Sequence, residues 1–140
     1  MNFAVLKNKN KMGVKNMSVN YIDDSITGWT SQVQESLTRT VAAICRADSN
    51  VKKFYIGKAS GSNAEEAMRR RYDAYKEDEG INEMRAIYFS NSEKNALAAE
   101  TYIEDKFKEN GKQINRAPGG QGRPGAGPNY YVYVAVRRWG

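Results

Sequence analysis

Three residues near the middle of the chain carry groups suited to handling a phosphate. Tyr55 and Lys58 lie in the run Tyr-Ile-Gly-Lys-Ala, and Arg71 ends a run of three arginines. The first run predicts the end of a buried strand that enters a glycine-bearing turn, and the second predicts an amphipathic helix. A phenol, an ammonium and a guanidinium can all contact phosphate oxygens. The pattern therefore predicts a phosphate-handling site.

Helical periodicity places one charge of each predicted helix on the core side. The first apolar stripe consists of Ala64, Ala67, Met68 and Tyr75, and the second of Ala96, Ala99, Ile103 and Phe107. At 3.6 residues per turn, Arg71 falls in the first stripe and Glu100 in the second. Such a charge is costly unless it is paired or binds a ligand. Two interpretations stay open: a buried Arg71–Glu100 ion pair, or a cleft that binds a phosphate and a metal.

The remaining pattern predicts the order β-β-α-β-α-loop-β, which is typical of a mixed α/β or α+β domain. Two β-prone runs, Thr40 to Arg46 and Val51 to Gly57, flank a polar turn and predict a hairpin. Asn63, with Glu66 three residues later, predicts a capped helix that runs to about Asp78 and ends at Gly80. The later elements are a strand over 84–90, a helix from 91 or 92 to about 109, a Gly/Pro-rich loop over 118–128 and a strand over 130–138.

Residues 1–37 predict a basic, polar extension, and 38–140 predict the folded domain with its core beginning at Thr38. Lysines precede every acidic residue in this extension, so it is interpreted either as an arm along a phosphate backbone or as a leader without structure. Its later part has apolar residues that can attach it to the domain. These residues are Tyr21, Ile22, Ile26 and Trp29.

Composition bounds the function. The 140 residues suit one domain, and 22 Lys+Arg against 16 Asp+Glu give a net charge of +6. That charge fits a polyanionic partner, most simply nucleic acid, and fits a solvated surface equally well. The chain has no histidine, which excludes Ser-His triads, histidine general bases and zinc sites built on histidine. Any hydrolase chemistry must use Tyr, Lys, Arg, carboxylates and a hard metal.

The single cysteine, Cys45, excludes an intrachain disulfide, and its apolar neighbours predict a small core residue. No run of 18 apolar residues is present, so no membrane span is predicted. The expected location is the cytoplasm, or the host-cell cytoplasm if the chain is viral.

With these residues in place, the stretch from Thr38 to Asn115 resembles the GIY-YIG nuclease domain. Tyr55-Ile56-Gly57 is similar to the second signature, and with Lys58 and Ala59 it is particularly similar to the nuclease domain of bacterial excision-repair UvrC proteins. The segment around Arg71 is similar to the arginine helix of the family. The segment ending at Glu100 is similar to the helix with the metal-binding glutamate, and Asn115 to the closing asparagine.

One signature departs from the family. The first Gly-Ile-Tyr should lie in the first strand, but that segment reads Val41-Ala42-Ala43-Ile44 and has no tyrosine. The phenol would then come from elsewhere, such as Tyr21, Tyr88 or a C-terminal tyrosine. If no residue supplies it, the domain is impaired or inactive.

The resemblance implies a three-stranded antiparallel sheet flanked by helices, to which the C-terminal strand is added. It further implies hydrolysis of DNA, most simply double-stranded, with Mg²⁺ or Mn²⁺ held by Glu100. Arg71 would brace the phosphate, Tyr55 would orient or deprotonate water with help from Lys58, and Asn115 would orient Glu100 or pin the strand end. The expected DNA contacts are Lys58, Arg69, Arg70, Arg116 and Arg123.

Two other functions stay open. A catalytically impaired relative would bind nucleic acid or act as an accessory protein without cutting. A small RNA-binding protein would fit the charge and the tyrosines alone. A homodimer is compatible with a small endonuclease domain of this kind.

Overall fold

The computed structural model describes residues 19–46, 49–72, 80–113 and 128–138. These residues form one four-stranded sheet and three helices. In chain order the elements are β1 (Asn20–Ile26), α1 (Ser31–Cys45), β2 (Val51–Gly61), α2 (Ala64–Tyr72), β3 (Glu83–Ser90), α3 (Glu93–Lys106) and β4 (Asn129–Arg138). The mixed α+β class is confirmed. A purely antiparallel three-stranded sheet is not found, because the sheet has a fourth strand that pairs in parallel.

The sheet has the order β1-β3-β4-β2, so the C-terminal strand lies inside it. β4 pairs antiparallel with both β2 and β3, whereas β1 pairs in parallel with β3. Tyr131 to Val136 are all buried, as expected for an interior strand that is covered on both faces. The three antiparallel strands are therefore β2, β4 and β3, and the strand added at the edge is β1.

The expectation of a strand over Thr40 to Arg46 is wrong, because this segment belongs to helix α1. The fully or almost fully buried side chains Leu37, Val41 and Cys45 recur every four residues and form one face of the helix. The hydroxyl oxygen of Thr30 accepts a hydrogen bond from the backbone N–H of Val33 at 3.2 Å and caps the first turn. The expected hairpin therefore does not form.

Part of the segment expected to be an N-terminal extension is built into the sheet. Residues Asn20–Ile26 form edge strand β1, and the expected boundary at residue 37 falls within α1. Ile26 and Trp29 pack against the core, in line with the attachment that their apolar side chains suggest. No helix among the described residues is long and apolar enough to cross a membrane.

The helices cover the two faces of the sheet in separate layers. Helices α1 and α3 pack on one face, which we call the aliphatic face, and α2 packs on the other, which we call the tyrosine face. From β2 and β4 the aliphatic face receives Val51, Phe54, Ile56, Val132, Val134 and Val136. From the same strands the tyrosine face receives Tyr55, Ala59, Tyr131, Tyr133 and Ala135.

The end of β4 is held against its neighbour β3 by an ion pair between the partly exposed Arg138 and the buried Glu83. Arg138 donates from Nε and Nη2 to the two carboxylate oxygens of Glu83 at 2.9 and 3.1 Å. The side chain of Asn82 also bonds the backbone of Arg138 in both directions. A bidentate contact of this kind fixes geometry as well as adding energy, so β4 is held in register along β3.

Candidate functional site

The strand that carries the Tyr-Ile-Gly-Lys-Ala run sends its side chains to both faces of the sheet. Tyr55 is half-buried and packs on the tyrosine face. A Cβ atom at Gly57 would point to the same face. Lys58 lies three residues from Tyr55 and therefore points to the opposite face. The sheet thus separates the phenol of Tyr55 from the ammonium group that the sequence suggested would assist it.

Lys58 makes its contacts with α3. Its Nζ lies 3.0 Å from Oε2 of Glu93 in the first turn of that helix, and its side chain is only 10% exposed. The same Nζ lies 5.9 Å from the ring centroid of Tyr130. This ion pair ties the start of α3 to β2, and α3 is the helix that carries Glu100.

Helix α2 begins at the capping residue that the sequence predicts. The side-chain oxygen of Asn63 accepts a hydrogen bond from the backbone N–H of Glu66 at 2.8 Å. The Glu66 carboxylate in turn accepts the backbone N–H of Ser62 at 2.7 Å, one residue earlier than in a standard capping box. The Ser62 hydroxyl also donates to this carboxylate. The hydrogen bond from the hydroxyl, followed by the one from the backbone N–H, lowers the pKa of Glu66 below its ordinary value. The described part of the helix ends at Tyr72, so its predicted continuation lies outside the described residues.

The three arginines of α2 have different surroundings. Arg69 and Arg70 are exposed and form the expected surface pairs with Glu65 and Glu66, at 2.7 and 3.4 Å. Arg69 also lies over the ring of Tyr21, 4.7 Å from its centroid. Arg71 is partly buried, and its Nε is shielded from solvent. Only the third arginine is therefore turned toward the protein, as the apolar stripe predicts.

Glu100 lies on α3 with a side chain that is 5% exposed, beside the buried residues Ala99 and Ile103. The helix is capped by Ser92, whose hydroxyl oxygen accepts the N–H of Asn95 at 3.1 Å. One turn after Glu100, Glu104 is also 5% exposed. The sequence reasoning missed this second buried carboxylate, although its four-residue spacing from Glu100 places both on one side of the helix.

A tyrosine from the C-terminal strand fills the space over Gly57. Tyr133 stands opposite Gly57 in the β2–β4 ladder and is fully buried. A Cβ atom at position 57 would come to within 3.0 Å or less of Oη, Cζ and Cε1 of Tyr133. The Tyr133 ring therefore lies directly over the glycine, and no larger residue fits at position 57 without displacing it. The sequence gives little signal for this contact, because 76 positions separate the two residues.

A cleft of about 520 Å³ lies at the edge of the sheet opposite β2, where β1 ends. It is lined by Asp23, Asp24, Ser25, Thr27, Phe89 and Tyr131. Burial, followed by the nearby Asp23 charge, raises the pKa of Tyr131. The carboxylates of Asp23 and Asp24 would repel phosphate oxygens, so this cleft does not suit the phosphate-handling role expected around Tyr55.

Three expected site residues, Asn115, Arg116 and Arg123, lie outside the described residues. The described chain stops just before them at Gln113, which forms a parallel bridge with Phe54 on the outer edge of β2. The backbone N–H of Phe54 donates to the carbonyl of Lys112 at 2.9 Å. The segment that leads to Asn115 therefore runs alongside the strand that carries Tyr55.

Comparisons of the chain with protein-family models, curated proteins and solved structures found no match. Within the described ranges, no group of three or more His, Cys, Asp and Glu side chains is placed to hold a metal ion.

Proposed function

We propose that this protein is a divalent-metal-dependent endonuclease that hydrolyses phosphodiester bonds in double-stranded DNA, with the chemistry of GIY-YIG domains. The supporting observation is the packing around β2. The strand carries Tyr55, the helix with Arg71 covers one of its faces, and the helix with Glu100 packs on the other. Tyr55 and Arg71 therefore lie on the tyrosine face of β2, and Glu100 lies in the layer on the opposite face. A site built from all three residues must span the edge of the sheet at β2, which is its last strand.

Glu100 is the residue that would hold the metal. Its buried carboxylate supplies the hard oxygen ligand that Mg²⁺ and Mn²⁺ prefer, and Mg²⁺ commonly uses one or two carboxylates together with water and phosphate oxygens. A cation bound there would supply Lewis-acid stabilisation of the charge that develops on the scissile phosphate. The ion pair between Lys58 and Glu93 fixes the first turn of the same helix and so helps to position Glu100.

Arg71 and Tyr55 would act on the reacting groups. Arg71 can brace two non-bridging phosphate oxygens with its fork of donors, and its partial burial limits the positions that it can adopt. Tyr55 would orient the attacking water or remove its proton. A free phenol has a pKa of about 10, so a nearby positive charge must favour its ionised form. Arg71 is the better candidate for this charge, since Lys58 lies on the opposite face of the sheet.

Arg69 and Arg70 would contact flanking phosphates. Their side chains are 61% and 59% exposed, and their pairs with Glu65 and Glu66 are surface pairs that contribute little energy. Contacts of this kind add affinity that falls as the salt concentration rises, and they carry no sequence preference.

Cleavage of plasmid and linear duplex DNA in Mg²⁺ tests the proposal. We expect the wild-type protein to cut, EDTA to abolish cutting, and Glu100→Gln to reduce it by about a hundredfold or more, a typical loss for a preorganised catalytic group. Asp105→Asn is the matched control, because it removes an exposed carboxylate from the same helix and should leave cleavage unchanged. Equal activity of the Glu100 and Asp105 variants would contradict the metal-binding role.

A non-cutting nucleic-acid-binding protein is the second candidate, and one observation favours it. The segment in which the family has its first tyrosine lies in helix α1, where Val41 is buried in the core. Salt-sensitive DNA binding without metal-dependent cleavage, in several forms of DNA, would establish this alternative.

A further inference from the structure

The strand beside β2 comes from the end of the chain. β4 is antiparallel to β2 over almost its whole length, from Asn129 opposite Gly61 to Arg138 opposite Val51. The first strand of the expected hairpin would have occupied this place next to Tyr55 and Gly57. The chain thus fills the neighbouring position with a different segment, which contains three tyrosines.

One of these tyrosines stands next to Tyr55 on the same face. Tyr55 is opposite Ala135 and Tyr133 is opposite Gly57, so the two tyrosines are diagonal neighbours. Diagonal pairs in antiparallel sheets lie about 7–8 Å apart, within reach of aromatic side chains. The absence of a side chain at Gly57 lets the Tyr133 ring lie across the strand at this point.

The other tyrosines considered from the sequence lie elsewhere. Tyr88 is fully buried on the aliphatic face, 5.8 Å from Trp29 between ring centroids, and burial raises its pKa. Tyr21 belongs to β1, three strand spacings or about 14 Å from β2. Tyr130 points to the aliphatic face and Tyr131 lines the cleft near β1.

We infer that Tyr133 supplies, from the C-terminal strand, the second phenol beside Tyr55, as a positioning residue that fixes the Tyr55 side chain across Gly57. This inference rests on the proposed endonuclease function. Tyr133 is fully buried, so it acts through Tyr55 and does not touch DNA itself. The residue missing from the 41–44 segment is thus replaced from a distant part of the sequence.

A packing role and a positioning role make different demands on the hydroxyl group. An aromatic ring packed over a glycine is a known way to stabilise a sheet, and phenylalanine would serve for it. A fully buried hydroxyl is unfavourable unless it is hydrogen-bonded. The presence of the Tyr133 hydroxyl at this position, beside another phenol, therefore points to a polar role.

Tyr133→Phe tests the inference because it keeps the ring over Gly57 and removes only the hydroxyl. With DNA and Mg²⁺ we expect kcat to fall by about tenfold or more while KM changes less than twofold, as expected when general acid–base geometry is disturbed and binding is not. Tyr131→Phe is the matched control, since it lies two residues away on the same strand and face. Thermal melting of both variants verifies that they fold.

A second measurement on DNA-free protein does not depend on cleavage. NMR titration of ring-labelled tyrosines gives the ionisation midpoint of Tyr55, which we expect to shift in Tyr133→Phe and to stay unchanged in Tyr131→Phe. If Tyr133→Phe keeps both the wild-type kcat and the wild-type Tyr55 midpoint, Tyr133 serves packing only and the inference is overturned. If the wild type does not cut but the midpoint shifts, the endonuclease proposal fails and the coupling between the two phenols is supported.

Discussion

The two faces of the sheet share the same four strands but are built from different side chains. Along β2 alone, Phe54 and Ile56 enter the aliphatic face, while Tyr55 and Gly57 belong to the tyrosine face. The aliphatic face is covered by two helices of 15 and 14 residues, and the tyrosine face by one described helix of nine residues. Alanines make up much of the contact of the described helix on the tyrosine face, where Ala64, Ala67 and Met68 are buried.

This difference predicts which substitutions change stability and which change the proposed activity. Branched aliphatic side chains and a phenylalanine bury apolar area, which is the main source of folding free energy. The other face combines small residues with tyrosines, among them Tyr55 and Tyr133. We therefore expect truncation of the branched aliphatic side chains and of the phenylalanine to change mainly stability, and removal of the hydroxyl groups of Tyr55 and Tyr133 to change mainly activity.

The largest stability loss should follow Phe54→Ala. Phe54 is fully buried between β2 and the two helices of the aliphatic face. Truncation of a buried phenylalanine typically costs about 3–5 kcal/mol, because apolar contact is lost and a cavity remains. Urea unfolding monitored by circular dichroism measures the change. A loss below about 1 kcal/mol would mean that the aliphatic face does not carry the stability of the fold.

Gly57→Ala, on the other face of the same strand, should cause the next largest loss of stability. The new methyl group would overlap the Tyr133 ring, and overpacking of this kind costs about 1–3 kcal/mol. Gly111→Ala is the matched control, because nothing lies within 4 Å of a Cβ atom at that position.

A double-mutant cycle isolates the contact between these two residues. Adding Tyr133→Val to Gly57→Ala should relieve the overlap, with a coupling energy of about 0.5–3 kcal/mol measured by urea unfolding. Additive effects of the two substitutions would show that the ring does not lie over position 57.

Asn63→Ala should cost about 1 kcal/mol, because it removes the side-chain cap of α2. Asn63→Asp keeps an acceptor at the same place and is the control. Thermal unfolding gives the melting temperature of both variants and of the wild type. If the alanine and aspartate variants melt at the wild-type temperature, the cap does not stabilise the helix that covers the tyrosine face.

The smallest expected effect concerns Cys45 on the aliphatic face. Burial raises the pKa of its thiol to about 12, although Lys112 and Arg138 oppose this shift. The thiolate, which is the reactive form, is therefore scarce in the folded protein at pH 8. We expect no reaction with a thiol reagent in buffer and prompt reaction in urea. Rapid labelling of the folded protein would show that this part of the core opens readily.

Local patterns predict much of this fold. The cap at Asn63, strands over 84–90 and 130–138, and a helix capped at residue 91 or 92 are predicted from signals within a few residues of each other. The structure has each of these elements, although the helix ends at Lys106 and not near residue 109. The sequence predicts a strand over Thr40 to Arg46, where the second half of helix α1 lies, because this run is apolar and β-prone. The stronger signal is the four-residue spacing of Leu37, Val41 and Cys45, which becomes visible only in a longer window.

The arrangement of the strands could not be predicted in the same way. Strand pairing depends on contacts between distant parts of the sequence, and periodicity does not specify which strands become neighbours. The Tyr133–Gly57 contact is of this kind. The position of Arg71 and the burial of Glu100 depend on helical periodicity alone, and they agree with the structure.

The most direct test of the functional proposal is the single-turnover rate of duplex DNA cleavage in Mg²⁺ by wild type and by Tyr55→Phe. We expect the wild type to cut, and the variant to keep its DNA affinity and its stability to within about 1 kcal/mol, the usual worth of one hydrogen bond. Its cleavage rate should fall by about a hundredfold or more, as is typical when acid–base catalysis is lost. A wild type that does not cut would contradict the endonuclease proposal, and a variant that cuts at the wild-type rate would contradict the catalytic role of Tyr55.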